Sequence, residues 1–126
     1  MIHGVGVDII SNERFRDSSL NESFLDRTYS SNELIESKSR NDPHQYLISR
    51  FAAKEAVFKS LNCSSEDICL AEIEILTKSN FQPVVHLSGK TAKLSNDLNI
   101  KNIKLSISYE TDYTVAFAIA ETRCDT

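Results

Sequence analysis

Glycine and proline are scarce in this 126-residue chain, at three and two residues. No Pro/Gly-rich linker, low-complexity tract or internal repeat interrupts it, which argues for one domain over residues 1–126. No apolar run approaches the roughly 20 residues a membrane span needs. The N-terminal "MIHGVGVDII" carries no basic flank of the kind that opens a secretory signal. The three cysteines, Cys63, Cys69 and Cys124, are an odd number with no CxxC pair. That disfavours a disulfide framework or a zinc site and fits a reducing cytoplasm. Basic residues are not in excess, since the formal net charge is -4, so nucleic acid is not an expected partner. GxSxG, Walker A and GxGxxG motifs are all missing. His3, His44 and His86 lack metal-type spacing.

What remains is an ordinary soluble balance, 40% hydrophobic and 25% charged, with enough length for a core. Residues 2–10 read as a buried β-branched strand. Ser11 is a candidate cap for a helix through "NERFRDSSL". Helical pieces follow near "NESFLDRTY" and "NELIESKS", the latter with a Ser30/Glu33 capping box. Asp42, Pro43 and Gln45 form an N-terminal signal for a long helix. It should run to Leu61 and exit through Asn62 in a left-handed conformation. Alternation in "CLAEIEILT", a turn around "KSNFQP" and a strand "VVHL" come next. Ser88 is placed to cap a helix through "GKTAKLSNDL". The last segment predicts two strands about a tight turn. Ile103, Leu105 and Ile107 share one face of the first, and Val115, Phe117 and Ile119 do likewise on the second. The mixture predicts an α+β or mixed α/β domain, with an antiparallel-containing sheet packed on the long helix.

Two places put charge beside apolar surface. Asp8 lies in the most apolar strand, on the side of Gly4 and Gly6. It either caps the strand end or serves a ligand that approaches the glycine backbone. In "RFAAKEAVFKSL", the stripe of Leu47, Phe51, Phe58 and Leu61 contains Lys54, with Glu55 on its edge. Glu55 and Lys59, at i and i+4, could be a surface ion pair. Alternatively, Asp8 and Glu55 are hard oxygen ligands for Mg²⁺, with Arg50, Lys54 and Lys59 supplying charge for phosphates.

"GVGVDII", "FLDRTYSSNEL", "RFAAKEAVFKSL", "QPVVHLSGKTAKL" and "SISYE" resemble, in order and spacing, the holo-acyl-carrier-protein synthases. These are small 4′-phosphopantetheinyl transferases. The resemblance implies transfer of phosphopantetheine from coenzyme A to an acyl carrier protein serine. It also implies a homotrimer with sites between subunits. It assigns metal binding to Asp8 and Glu55 and catalysis to Glu55 and Lys59. Coenzyme A contacts fall on Arg50, Lys54, Lys59, Pro83 and Tyr109. Carrier-protein contacts fall on Arg14 and Arg16. Tyr109 stands where relatives commonly carry histidine, and "FQP" replaces a Gly-Lys-Pro-like turn. Those departures motivate an alternative, a family member that binds its partners without turnover.

Overall fold

The computed structural model describes residues 1–18 and 20–123. Ser19, in the expected first helix, and Cys124 lie outside the described residues. The elements run β1 (Ile2–Ser11), α1 (Asn12–Ser18), α2 (Glu22–Thr28), α3 (Ser31–Lys38) and α4 (Pro43–Leu61). After α4 come β2 (Ile73–Thr77), β3 (Pro83–Leu87), α5 (Gly89–Asp97), β4 (Ile100–Tyr109) and β5 (Tyr113–Thr122). A 3-10 turn, Leu70–Glu72, takes the first part of the expected "CLAEIEILT" strand. The strands form an antiparallel three-stranded sheet in the order β1-β5-β4 and a separate β2-β3 hairpin. This is the expected α+β class. No helix among the described residues is long and apolar enough to cross a membrane.

Helix α4 is the central element. Asp42 accepts from the Gln45 N–H at 3.1 Å, and Asn62 ends the helix at φ 55°. The capping box expected there is only half formed. The Gln45 side chain instead donates to the buried Thr114 hydroxyl at 2.9 Å. Thr114 donates on to Asn12 Oδ1, and Asn12 Nδ2 donates to the Glu110 and Thr111 carbonyls. This buried chain ties α1 and α4 to the β4–β5 turn. Ser30 and Glu33 do form their capping box. Ser88 precedes α5 but its hydroxyl caps nothing. The Glu72 carboxylate does that work, accepting from the Thr91 N–H and hydroxyl at 3.2 and 2.9 Å.

Burial runs around nearly the whole of α4, from Gln45 to Leu61. On one side lies the sheet, and its contact face is small: Gly4 and Gly6 of β1, with Ala116 and Ala118 of β5 against Ala52, Ala53 and Ala56, and Ala120 against Leu61. A Cβ added to Gly6 would sit 2.0 Å from the Ala56 carbonyl oxygen. The glycines therefore admit the backbone of α4, not a ligand as the sequence suggested. Small residues here let the helix lie close against β1 and β5.

The larger apolar side chains of the same strands point the other way. Val5, Val7, Ile9 and Phe117 are 54, 54, 66 and 42% exposed. The expectation of a buried β1 holds for one face only. Val115, Phe117 and Ile119 share a face, as expected, but it is the face turned away from α4.

Candidate active site

The carboxylates singled out in the sequence meet. Asp8 projects from β1 toward α4, and Lys59 on α4 donates to Asp8 Oδ1 at 3.1 Å and to the Val7 carbonyl at 3.0 Å. Glu55, one helical turn before Lys59, lines the same open cleft of ≈430 Å³ as Asp8, Ser11, Arg14, Phe15 and Phe51. Burial, and then the Asp8 charge, hold the Glu55 carboxyl above its ordinary range, while Lys59 draws it partly back. Two carboxylates facing one cleft, with one ammonium beside them, form a hard-oxygen donor set that suits a divalent cation. Among the described residues no cluster of three or more His, Cys, Asp or Glu could hold a metal unaided. A pair of this kind fits Mg²⁺, which often takes one or two carboxylates and completes its shell with phosphate and water.

Arg14, on the first turn of α1, lines this cleft, a neighbour of the carboxylates that no sequence pattern pointed to. Arg16 does not join it. Two residues on a helix are about 200° apart, and Arg16 turns instead to Asp42 at 3.2 Å. Its surroundings are acidic, with Glu13, Asp17 and Asp112 nearby.

Lys54 and Arg50 correct the sequence reading. Lys54 does not line the cleft. It is fully buried on the β2-facing side of α4, paired with Glu33 at 2.7 Å. Because α4 is covered on this side, the lysine has no route to solvent and no reach to a phosphate. Arg50 lies on the same β2-facing side. Its Nε donates to the Ile75 carbonyl at 3.1 Å and its Nη2 to the Thr77 hydroxyl at 2.5 Å, with the guanidinium 4.2 Å from the Tyr46 ring centre. Neither basic group stands with Asp8 and Glu55. The signal for Lys54 was present in Glu33, whose capping-box role concealed its second role as a buried counter-ion.

Pro83 and Tyr109 also lie elsewhere. Pro83 starts β3 and lines a groove of ≈740 Å³ between the β2–β3 hairpin and β4, together with Lys78, Phe81, Lys104 and Ile107. Tyr109 ends β4 and is 62% exposed. Strand β5 separates Tyr109 from β1 and Asp8, and Pro83 lies in the separate β2–β3 sheet.

A model of the 4′-phosphopantetheinyl transferase superfamily matches residues 4–118. The chain belongs to that superfamily. It is 37% identical over 126 residues to a holo-[acyl-carrier-protein] synthase of Hydrogenovibrio crunogenus, covering 98% of this chain and 99% of the relative. It is 39% identical over 122 residues to the Clostridium kluyveri protein of that name, covering 96% and 91%. The crystal structure of the Neisseria meningitidis holo-[acyl-carrier-protein] synthase superposes with a TM-score of 0.90 at 30% identity, covering 97% of this chain and 100% of the other. A Bacillus anthracis synthase in complex with CoA (3′,5′-ADP) superposes at 0.81 with 25% identity, covering 98% and 99%.

Proposed function

We propose that this chain transfers the 4′-phosphopantetheine of coenzyme A to a serine of apo acyl carrier protein. The products are holo carrier protein and adenosine 3′,5′-bisphosphate. The observation that carries the reading is the meeting of Asp8 and Glu55, from β1 and α4, in a cleft that Arg14 also lines, in a chain of this superfamily. Asp8 and Glu55 would hold Mg²⁺, which when bound neutralises pyrophosphate charge and polarises phosphorus. The catalytic gain comes mainly from positioning and charge compensation, because the protein forms no covalent intermediate. Lys59 adds positive charge at Asp8, where the phosphates would lie. The attacking serine hydroxyl gives its proton to Glu55 or to water in the cleft. Arg14, exposed at the cleft rim, meets the acidic carrier protein.

Two further assignments belong to the same proposal. The exposed Val5, Val7, Ile9 and Phe117 face supports assembly of copies of this chain, as a homotrimer. A face of this kind is unusual on a monomer unless it is covered. Assembly would let Pro83 and Tyr109 of a neighbouring copy approach the coenzyme A held at Asp8 and Glu55, which one chain alone does not arrange. A reducing cytoplasm is the proposed location.

Apo carrier protein, coenzyme A and Mg²⁺ are mixed with the protein, and the carrier is weighed by mass spectrometry. A gain of one phosphopantetheine is expected. Binding of carrier and coenzyme A with no gain would favour the non-catalytic reading, for which Tyr109 in place of a family histidine is the motive. Release of phosphate without transfer would point to a different phosphate-ester enzyme.

A further inference from the structure

Lys54 and Glu33 are fully buried charges that the proposed chemistry does not use. The Lys54 ammonium has three N–H donors and three acceptors: Glu33 Oε1 at 2.7 Å, the Leu70 carbonyl at 2.9 Å and the Ile73 carbonyl. Glu33 accepts in turn from the Ser30 N–H at 2.9 Å and the Ile75 N–H at 2.8 Å. One ion pair thus joins α3, the 3-10 turn before β2, β2 itself and α4.

Stability alone does not account for it. Replacing a buried ion pair with a well-packed apolar pair is often neutral or favourable, and fixing register is its best-attested use. The hydrogen bonds of Lys54 are directional and accept one rotation of α4. Glu55 is the next residue, about 100° further round the helix, and that turn carries it from the β2 side to the β1 side. On the sheet side, Gly4 and Gly6 set how close α4 comes, and the side-chain bonds of Gln45 to Thr114 and of His3 and Asn62 across the Leu61 end hold the two ends of the helix rather than the turn that carries Glu55. The bonds from Lys59 to Val7 and Asp8 do bear on it, but Lys59 is 47% exposed and water competes for them.

We infer that the buried Lys54–Glu33 pair is a positioning device that fixes the rotation of α4 and thereby presents Glu55 to Asp8. The inference rests on the reading of Asp8 and Glu55 as the metal pair. Lys54 itself touches neither metal nor phosphate.

The test replaces the pair by a neutral one, Lys54→Met with Glu33→Gln. Glutamine retains an acceptor for the Ile75 N–H and suits a capping box. Thermal melting is measured, and Mn²⁺ binding in the presence of coenzyme A and absence of carrier is followed by electron paramagnetic resonance. The expected result is a folded protein whose Mn²⁺ affinity falls by about tenfold or more, the scale of lost outer-shell support at a metal site. Parental Mn²⁺ affinity in the folded double variant overturns the inference. So does failure of that variant to fold, since the pair would then hold the fold rather than the rotation. Glu55→Ala is measured alongside. If it keeps Mn²⁺, the metal reading itself fails; if it loses Mn²⁺ while the neutral pair keeps it, only the positioning role fails.

Discussion

Gly6→Ala should damage both stability and activity, because its new methyl group has nowhere to go. The added Cβ would lie 2.0 Å from the Ala56 carbonyl oxygen, 2.8 Å from the Ser60 nitrogen and 2.9 Å from the Lys59 Cβ. A carbon rests against a carbonyl oxygen at about 3.3 Å or more, so α4 must withdraw by on the order of 1 Å. Two of the three obstacles are backbone atoms of a helix buried on nearly every side, and the alanine layer against Ala116 and Ala118 would open as it moved. Overpacking of this kind costs about 1–3 kcal/mol. The rigid neighbours put Gly6→Ala at the upper end, a fall in melting temperature of roughly 10 °C. Withdrawal also carries Glu55 and Lys59 away from Asp8, so carrier loading should drop at temperatures where the variant is still folded. Circular dichroism melting and carrier mass at 25 °C measure the two effects. A variant that melts within ~2 °C of the parent and loads carrier at the parental rate would refute the close-contact argument.

Asp8→Ala and Glu55→Ala should each abolish transfer with little change in melting, since each removes a cleft carboxylate and no packing group; near-normal turnover in saturating coenzyme A would sink the metal assignment. Arg14→Glu should weaken carrier-protein binding more than coenzyme A binding, with a loss that shrinks at high salt; calorimetry with each ligand decides, and equal losses would make Arg14 a general cleft residue. Phe117→Asp places a charge on the exposed apolar face and should yield monomers of native secondary structure by light scattering and circular dichroism; an unchanged assembly would clear that face of any role in it. Tyr109→His should tighten coenzyme A more than dephospho-coenzyme A, and more at pH 6 than at pH 8, because a histidine gains its charge below about pH 6.5; no change in either affinity would separate Tyr109 from the 3′-phosphate.

The local signals in the sequence translated well. Asp42, Pro43 and Asn62 bound α4, and Ser30 with Glu33 starts α3, because caps are decided by a few neighbouring groups. Asp8 and Glu55 were legible as oddities for the same reason, each a carboxylate in an apolar setting. Their meeting was not legible, as it depends on β1 and α4 packing together across a sequence separation of 47 residues. Periodicity misplaced Lys54 because it assumes a helix with one buried face and one wet face. α4 is covered on the β2 side as well as the sheet side, so the lysine in its apolar stripe could not snorkel and needed Glu33. Gln45 and Ser88 show the opposite failure. Each occupied a plausible capping position, but Thr114 and Glu72 offered the tertiary structure a different set of bonds.

The sheet reverses the usual assignment of size to burial. Strand β5 alternates alanine with valine, phenylalanine and isoleucine, and pattern reading alone turns the larger set inward. The register says otherwise: Ile107 pairs with Ala116 and Leu105 with Ala118, so β4 supplies the bulk on the α4 side while β5 supplies the space. Across the sheet, Val7 pairs with Phe117 and Ile9 with Val115 on the outer face. An outer surface that needed only to be soluble would carry polar residues at those positions, as β4 does at Lys104, Ser106 and Ser108. Apolar side chains on β1 and β5 and polar ones on β4 therefore mark out part of one face, not all of it, as the area to be covered. That gives the Phe117→Asp experiment its sharper form: Ser106→Asp, across the ladder from Phe117, lies on the polar strand and should leave assembly much less affected. If both substitutions disrupt it equally, the covered area extends over β4 and the boundary drawn here is wrong.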